Sequence, residues 1–149
     1  MYKKILIPTD GSPLAQQAVE KGVELAKALG ASIVVLTVVE PFEVMRHFAT
    51  SEYERLTETF ATYQREAAAH AKGVLEGAAA TAADAGVPAQ TVQLESGYPF
   101  EAIIKAATEH AADLIVMSSH GRKGMEALLI GSETTKVLTH SKIPVLVLR

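Results

Sequence analysis

SIVVLTVV, residues 32 to 39, decides the fold. It is apolar at nearly every position. A strand with one wet face alternates apolar and polar residues; a strand without that alternation is covered on both faces, the mark of a parallel sheet packed between helices. Gly30 sits just upstream, where a helix would stop. Before it, Leu14, Ala18, Gly22, Leu25 and Leu29 recur at spacings of four and three, a helical period. Ser12 followed by Pro13 reads as that helix's start, a capping side chain ahead of a proline that needs no N–H partner. KILIP, residues 4 to 8, is then a first buried strand, and TDGSP is the turn between them.

Downstream, residues 41 to 86 are rich in Ala, Glu, Thr and Gln and poor in Val and Ile. They read as one long or two shorter helices, loosely structured in PFEVMRHFATSEYE. Gly73 and Gly77 either weaken that helix or mark close packing. AQTVQLES, residues 89 to 96, alternates and reads as a third strand. Pro99 opens another helix, with Phe100, Ile103, Ile104 and Ala107 at i, i+3, i+4 and i+7. DLIVMS is a fourth strand, residues 132 to 140 a last helix, and IPVLVLR a fifth strand. Strands alternating with helices imply a single α/β domain over residues 1–149, a parallel sheet with right-handed crossovers.

Composition narrows the function classes. The 149 residues include 48% hydrophobic ones, enough for a core, and no cysteine, which removes disulfides, thiolate metal sites and cysteine nucleophiles. A formal net charge of −3 lacks the basic footprint of a nucleic-acid binder. The opening MYKKILIPTDGS turns polar after Pro8, so no signal-peptide core is expected. The run ALGASIVVLTVV is too short to span a bilayer. A cytoplasmic protein without membrane or nucleic-acid partners is expected.

Ligands of open α/β sheets bind beyond the carboxyl ends of the strands. Strand one ends in Pro8-Thr9-Asp10-Gly11-Ser12. Strand four ends in SSHGRKGMEALLIGS, residues 118 to 132. Gly121 and Gly124 permit close backbone approach, Arg122 and Lys123 add positive charge, and Gly131-Ser132 opens a helix whose N–H groups and dipole favour an anion. These are the parts of a phosphate cradle, though glycine loops between strand and helix are common and a helix-start serine is often only a cap. Asp10 has two readings. It forms an Asx turn with Gly11, or, with Ser12 already capping, it accepts from a ribose hydroxyl or holds a hydrated Mg²⁺. Val38 and Val39 read most simply as core, with backbone groups placed to meet an adenine edge.

K-I-L-I-P-T-D-G-S, the glycine loop and S-K-I-P-V-L-V-L-R together resemble the universal stress protein family, on its nucleotide-binding branch, over the whole chain. The branch signature is glycine, two residues, glycine, nine residues, glycine and serine or threonine. Gly121, RKGMEALLI and Gly131-Ser132 match it; Ser118 stands at the first glycine and departs from it. The resemblance implies a three-layer, five-stranded sheet in the order 3-2-1-4-5, like the adenine nucleotide alpha hydrolases, with ATP or AMP between strands one and four. By that likeness Pro8, Thr9 and Asp10 border the nucleoside, Asp10 near the ribose. Val38 main-chain atoms meet the adenine, and Ser118, Gly121, Arg122, Gly124, Gly131, Ser132 and Glu133 line the phosphates. It also implies a homodimer through the final strand, at Val145, Leu146 and Val147, an edge that is a liability if left bare.

No nucleophile–base pair stands out. His47, His70, His110 and His140 fall on predicted helices and read as surface residues; His120 abuts the loop, where it reaches a phosphate or is incidental. There is no Walker A lysine and no H-x-x-x-H. A nucleotide-sensing regulatory dimer therefore ranks above a slow ATP hydrolase or autophosphorylating protein, with Ser132 or Thr134 as acceptors, and above a nucleotide-free dimeric scaffold.

Overall fold

The computed structural model describes residues 1–41, 50–121 and 130–149, with the backbone alone for residues 50–56. The elements are β1 (Lys4–Pro8), α1 (Pro13–Leu29), β2 (Ser32–Val39), α2 (Thr50–Ala85), β3 (Ala89–Glu95), α3 (Pro99–Glu109), β4 (Leu114–Ser118), α4 (Ser132–His140) and β5 (Val145–Leu148). The strands form one sheet in the order β3-β2-β1-β4-β5, every pair parallel. Both the class and the order match the expectation.

The unbroken apolar strands have the predicted cause. Consecutive residues point to opposite faces, and both faces are covered. Ile5, Ile7, Ile33, Val35, Leu114 and Val116 pack beneath α1 and α2, against Val19, Val23, Leu75 and Ala82. Leu6, Val34, Leu36, Ile115 and Met117 pack on the other side against Ile103, Ala106 and Ala107 of α3 and Val137 of α4. β3 is an edge strand, and only Val92 and Leu94 turn into this second cluster, which gives its sequence the alternation.

One reading is refined and one alternative is decided. The buried face of α1 is Ala15, Ala18, Val19, Gly22, Val23 and Ala26; it keeps Ala18 and Gly22 of the expected stripe, while Leu14, Leu25 and Leu29 are half-buried, Leu25 and Leu29 packing at the margin of the core. The helix lies so close to β1 that a Cβ on Gly22 would stand 2.5 Å from Ile7 Cδ1. Small residues therefore face the sheet, and the leucines flank the contact. α2 is a single helix over the described residues, and among them nothing beyond the helix's own neighbouring backbone lies within 4 Å of where a Cβ on Gly73 or Gly77 would be. Those glycines weaken the helix without serving a close contact. Residues 42–49, including His47, lie outside the described residues.

Candidate functional site

β1 ends at Pro8, and the chain leaves the sheet through Thr9, Asp10 and Gly11. Thr9 N donates to the Leu36 carbonyl (2.8 Å), and Thr37 Oγ1 donates to the Thr9 carbonyl (3.0 Å), which ties the exit of β1 to β2. Asp10 Oδ1 accepts from Ser12 N at 3.0 Å, an Asx turn, while Ser12 Oγ accepts from Ala15 N at 3.3 Å and caps α1. The two readings of Asp10 are thus not exclusive: a capping Ser12 does not release Asp10 from the turn. Gly11 has φ +78°, and a Cβ there would stand 2.6 Å from Val74 Cγ2 of α2. His70, one turn earlier on α2, brings Nε2 to 3.3 Å from the Asp10 carbonyl.

β4 lies beside β1, so its exit loop opens into the same crevice. A Cβ on Gly121 would stand 2.6 Å from Asp10 Oδ2. The second oxygen of Asp10 therefore faces the glycine loop, and only glycine at 121 leaves it room. An adjoining cavity of about 560 Å³ is lined by Gly11, Ser12, Pro13, Leu14, His70 and Gly121. Arg122 and Gly124 lie outside the described residues.

The loop returns to α4 by a tight fastening. Gly131 N donates to the Ser119 carbonyl (2.6 Å), Ser118 Oγ to the His120 carbonyl (2.7 Å), and the buried Thr134 Oγ1 to the Ser118 carbonyl (3.0 Å). A Cβ on Gly131 would stand 3.0 Å from the Ser119 carbonyl oxygen and 3.5 Å from His120 Cα. Glycine there is explained by the loop's own backbone as much as by any ligand. Gly131 is also the N-cap of α4 and offers no side chain to the helix's first N–H groups, which leaves that end suited to an anion. Ser132, in the first turn, is exposed. Glu133 faces elsewhere: its Oε2 accepts from Phe100 N at the start of α3 (2.9 Å), and its Oε1 pairs with Lys136 (3.0 Å). Of the two hydroxyls weighed as phosphoryl acceptors, Thr134 is enclosed and only Ser132 is accessible.

Val38 supplies a third side. Thr9 N bonds to Leu36 on the β1 edge of β2, while Ser96 N bonds to Val39 on the β3 edge (3.0 Å). Edges alternate along an extended chain, so the N–H and C=O of Val38 turn toward β1, past the point where β1 has left the sheet.

His70 is the site residue that sequence reasoning missed. It reads as one polar position on an Ala-rich helix, and only the path of α2 over the strand ends brings it to Asp10. His110 and His140 lie away from the crevice, His110 at the end of α3 and His140 with its ring 5.3 Å from that of Phe100. Among the described residues no three His, Asp or Glu side chains gather as a metal site, and no helix is long and apolar enough to cross a membrane.

The sequence model of the universal stress protein family matches residues 1–149. The chain belongs to the universal stress protein family. A universal stress protein of Methanocaldococcus jannaschii is 33% identical over 149 residues, covering 100% of this chain and 83% of that protein. A second one from the same archaeon is 31% identical over 157 residues, covering 100% and 96%. The solved structure of the second has a TM-score of 0.77 to this chain at 30% identity, covering 99% and 96%. A universal stress protein in complex with cAMP (TM-score 0.72, 23% identity, 99% and 97% covered) and one from Archaeoglobus fulgidus in complex with dAMP (TM-score 0.71, 21% identity, 99% and 98% covered) share the fold.

Proposed function

We propose that this universal stress protein is an adenine-nucleotide-binding regulator of the stress response, a cytoplasmic homodimer holding ATP or AMP in the crevice between β1 and β4. The observation that carries the reading is the meeting of the two loops, where Gly121 leaves room for one Asp10 oxygen beside an α4 N-terminus free of side-chain caps. The nucleotide ligands of the two fold relatives, cAMP and dAMP, support the same ligand class.

Each part of the ligand has a counterpart. Val38 N–H and C=O match adenine, whose N1 accepts and whose N6 amino group donates; guanine reverses both. Pro8, Thr9 and Asp10 border the nucleoside, with Asp10 Oδ2 accepting from a ribose hydroxyl. Gly121, Gly131, Ser132 and the backbone N–H of Glu133 line the phosphates, Ser118 shapes the loop around them, and Arg122 and Gly124 belong to the same motif. One carboxylate is too little to hold Mg²⁺, so a Mg²⁺ ion arrives with the phosphates and meets Asp10 through water. The sequence offers no recognisable nucleophile–base pair, which favours sensing over turnover. β5 supplies the dimer edge.

The test is to release bound material with acid, identify it by chromatography, and titrate stripped protein with ATP, AMP and GTP. Adenine nucleotide in the extract and a preference over GTP of at least about tenfold are expected. Protein that carries no nucleotide and gives no binding heat with ATP or AMP refutes the reading.

A further inference from the structure

Thr37 interrupts the apolar run of β2. After Ser32 it is the one polar residue of SIVVLTVV, and it is only 4% exposed. A buried hydroxyl needs a partner, and Thr37 Oγ1 donates to the Thr9 carbonyl at 3.0 Å. In a regular sheet that carbonyl belongs to another donor. Between parallel strands, a residue donates to the carbonyl just before its opposite number and accepts from the N–H just after it. β1 and β2 run in this register, with Pro8 opposite Leu36. Thr9 N still donates to the Leu36 carbonyl (2.8 Å), one residue past the end of β1. Thr9 therefore stands opposite Thr37, and the next bond of the ladder would run from Val38 N–H to the Thr9 carbonyl. Among the described residues no backbone bond joins that pair. The Thr37 hydroxyl holds the carbonyl instead.

We infer that Thr37 is a positioning residue for base recognition: its hydroxyl ends the β1–β2 ladder one bond early and so keeps the Val38 N–H open for an acceptor nitrogen of the base, N1 of adenine. The inference rests on the adenine reading above. With its carbonyl already satisfied by Thr37, Thr9 gains little from continuing the ladder, and Val38, half-buried, keeps its N–H turned into the crevice. Take the hydroxyl away and two backbone groups lack partners side by side, the Thr9 carbonyl and the Val38 N–H. Unpaired backbone groups away from water are costly, so these two close on one another. The ladder then advances by one bond, and the base loses its donor.

Amide hydrogen exchange in the ligand-free protein reads the ladder directly. In wild type the Val38 N–H should exchange at least about 100-fold faster than that of Leu36, which lies within the β1–β2 ladder. T37V should slow the Val38 N–H at least about tenfold, whereas T37S, which keeps the hydroxyl, should leave it as in wild type. Calorimetry with AMP and with 1-deaza-AMP, in which carbon replaces N1, reads the base. Wild type and T37S should favour AMP on the order of tenfold. T37V should bind AMP about tenfold more weakly and 1-deaza-AMP nearly as wild type does, since that base has no acceptor for the N–H to meet. A Val38 N–H already protected in ligand-free wild type overturns the role of Thr37, and that measurement holds even if T37V does not fold. So does a Val38 N–H that exchanges alike in T37V and wild type, or an equal loss for the two nucleotides, while nucleotide binding itself stands. Failure of wild type to bind AMP at all overturns the nucleotide reading, and this inference with it.

Discussion

Asp10 divides its two oxygens, one holding the turn into α1 and the other facing the glycine loop. That division makes Gly121 testable. In G121A the new methyl carbon would stand 2.6 Å from Oδ2, so the carboxylate must move off its place beside the crevice. The atom met is the end of a side chain rather than backbone, so the carboxylate yields at little cost to the fold. We expect AMP to bind about tenfold more weakly in G121A by calorimetry, with a melting temperature close to wild type. Asp113 does a different job at the other end of the sheet. Its carboxylate accepts from Lys3 N (2.8 Å) and Lys4 N (3.0 Å), pinning the start of β1. Burial pushes its pKa up, but these backbone N–H groups, its own, and the N-terminal charge outweigh that and hold it below the usual carboxylate range. A depressed folded pKa means that stabilisation is fully present above about pH 4 and fades as pH falls through the folded value. Wild type should therefore melt above D113N at pH 7, and the gap should narrow as the pH falls below about 4. At this scale the sequence was partly legible. The residue types at 8–12 and 118–132 marked two candidate loops, which the pairing of β1 with β4 brings side by side, although such loops also serve as ordinary turns and caps. Which oxygen of Asp10 does what, and that Glu133 turns to α3, depend on contacts between segments far apart in the chain.

The elements were legible where burial wrote a period into the chain. β2 is apolar at all but Ser32 and Thr37 because α2 and α3 lie on its two sides, and β3 alternates because it is an edge. α1 was legible as a helix but not in its orientation. The expected stripe caught Ala18 and Gly22 but not its small companions Ala15, Val19, Val23 and Ala26, which face the sheet because Gly22 lets the helix approach, while the leucines flank the contact. α2 carries little signal of its packing, being rich in alanine on several faces. Its two interior glycines give a direct test. Among the described residues neither has an atom beyond the helix's own neighbouring backbone within 4 Å of the position of a Cβ, and both are exposed. Each gives the unfolded chain freedom that the helix must remove. G73A and G77A should each stabilise the protein by roughly 0.5–1 kcal/mol, additively, in urea melts with an unchanged m value. A loss of stability in either variant would mean that the glycine meets a surface absent from the single chain.

At the scale of the molecule, a five-stranded open sheet has two bare edges, and they differ in character. β3 presents exposed Gln90, Thr91, Gln93 and Glu95, a polar edge that discourages pairing. β5 presents Val145, Leu146, Val147 and Leu148, with Leu146 41% exposed in the single chain. An apolar edge strand of this kind is normally covered, and a two-fold pairing of β5 with β5 covers it at both copies at once. In such a pairing a substitution appears twice in the interface. Replacing Leu146 with lysine sets two like charges against an apolar seam, which should raise the dimer dissociation constant at least about 100-fold. L146K should run as a monomer in sedimentation and light scattering at concentrations where wild type is a dimer. The crevice is built from β1, β2, β4 and the first turn of α4 of one chain, so the monomer should bind AMP within about threefold of wild type. An L146K protein that remains a dimer would move the interface off β5. A monomer that has lost AMP would show that each crevice is completed by the second copy.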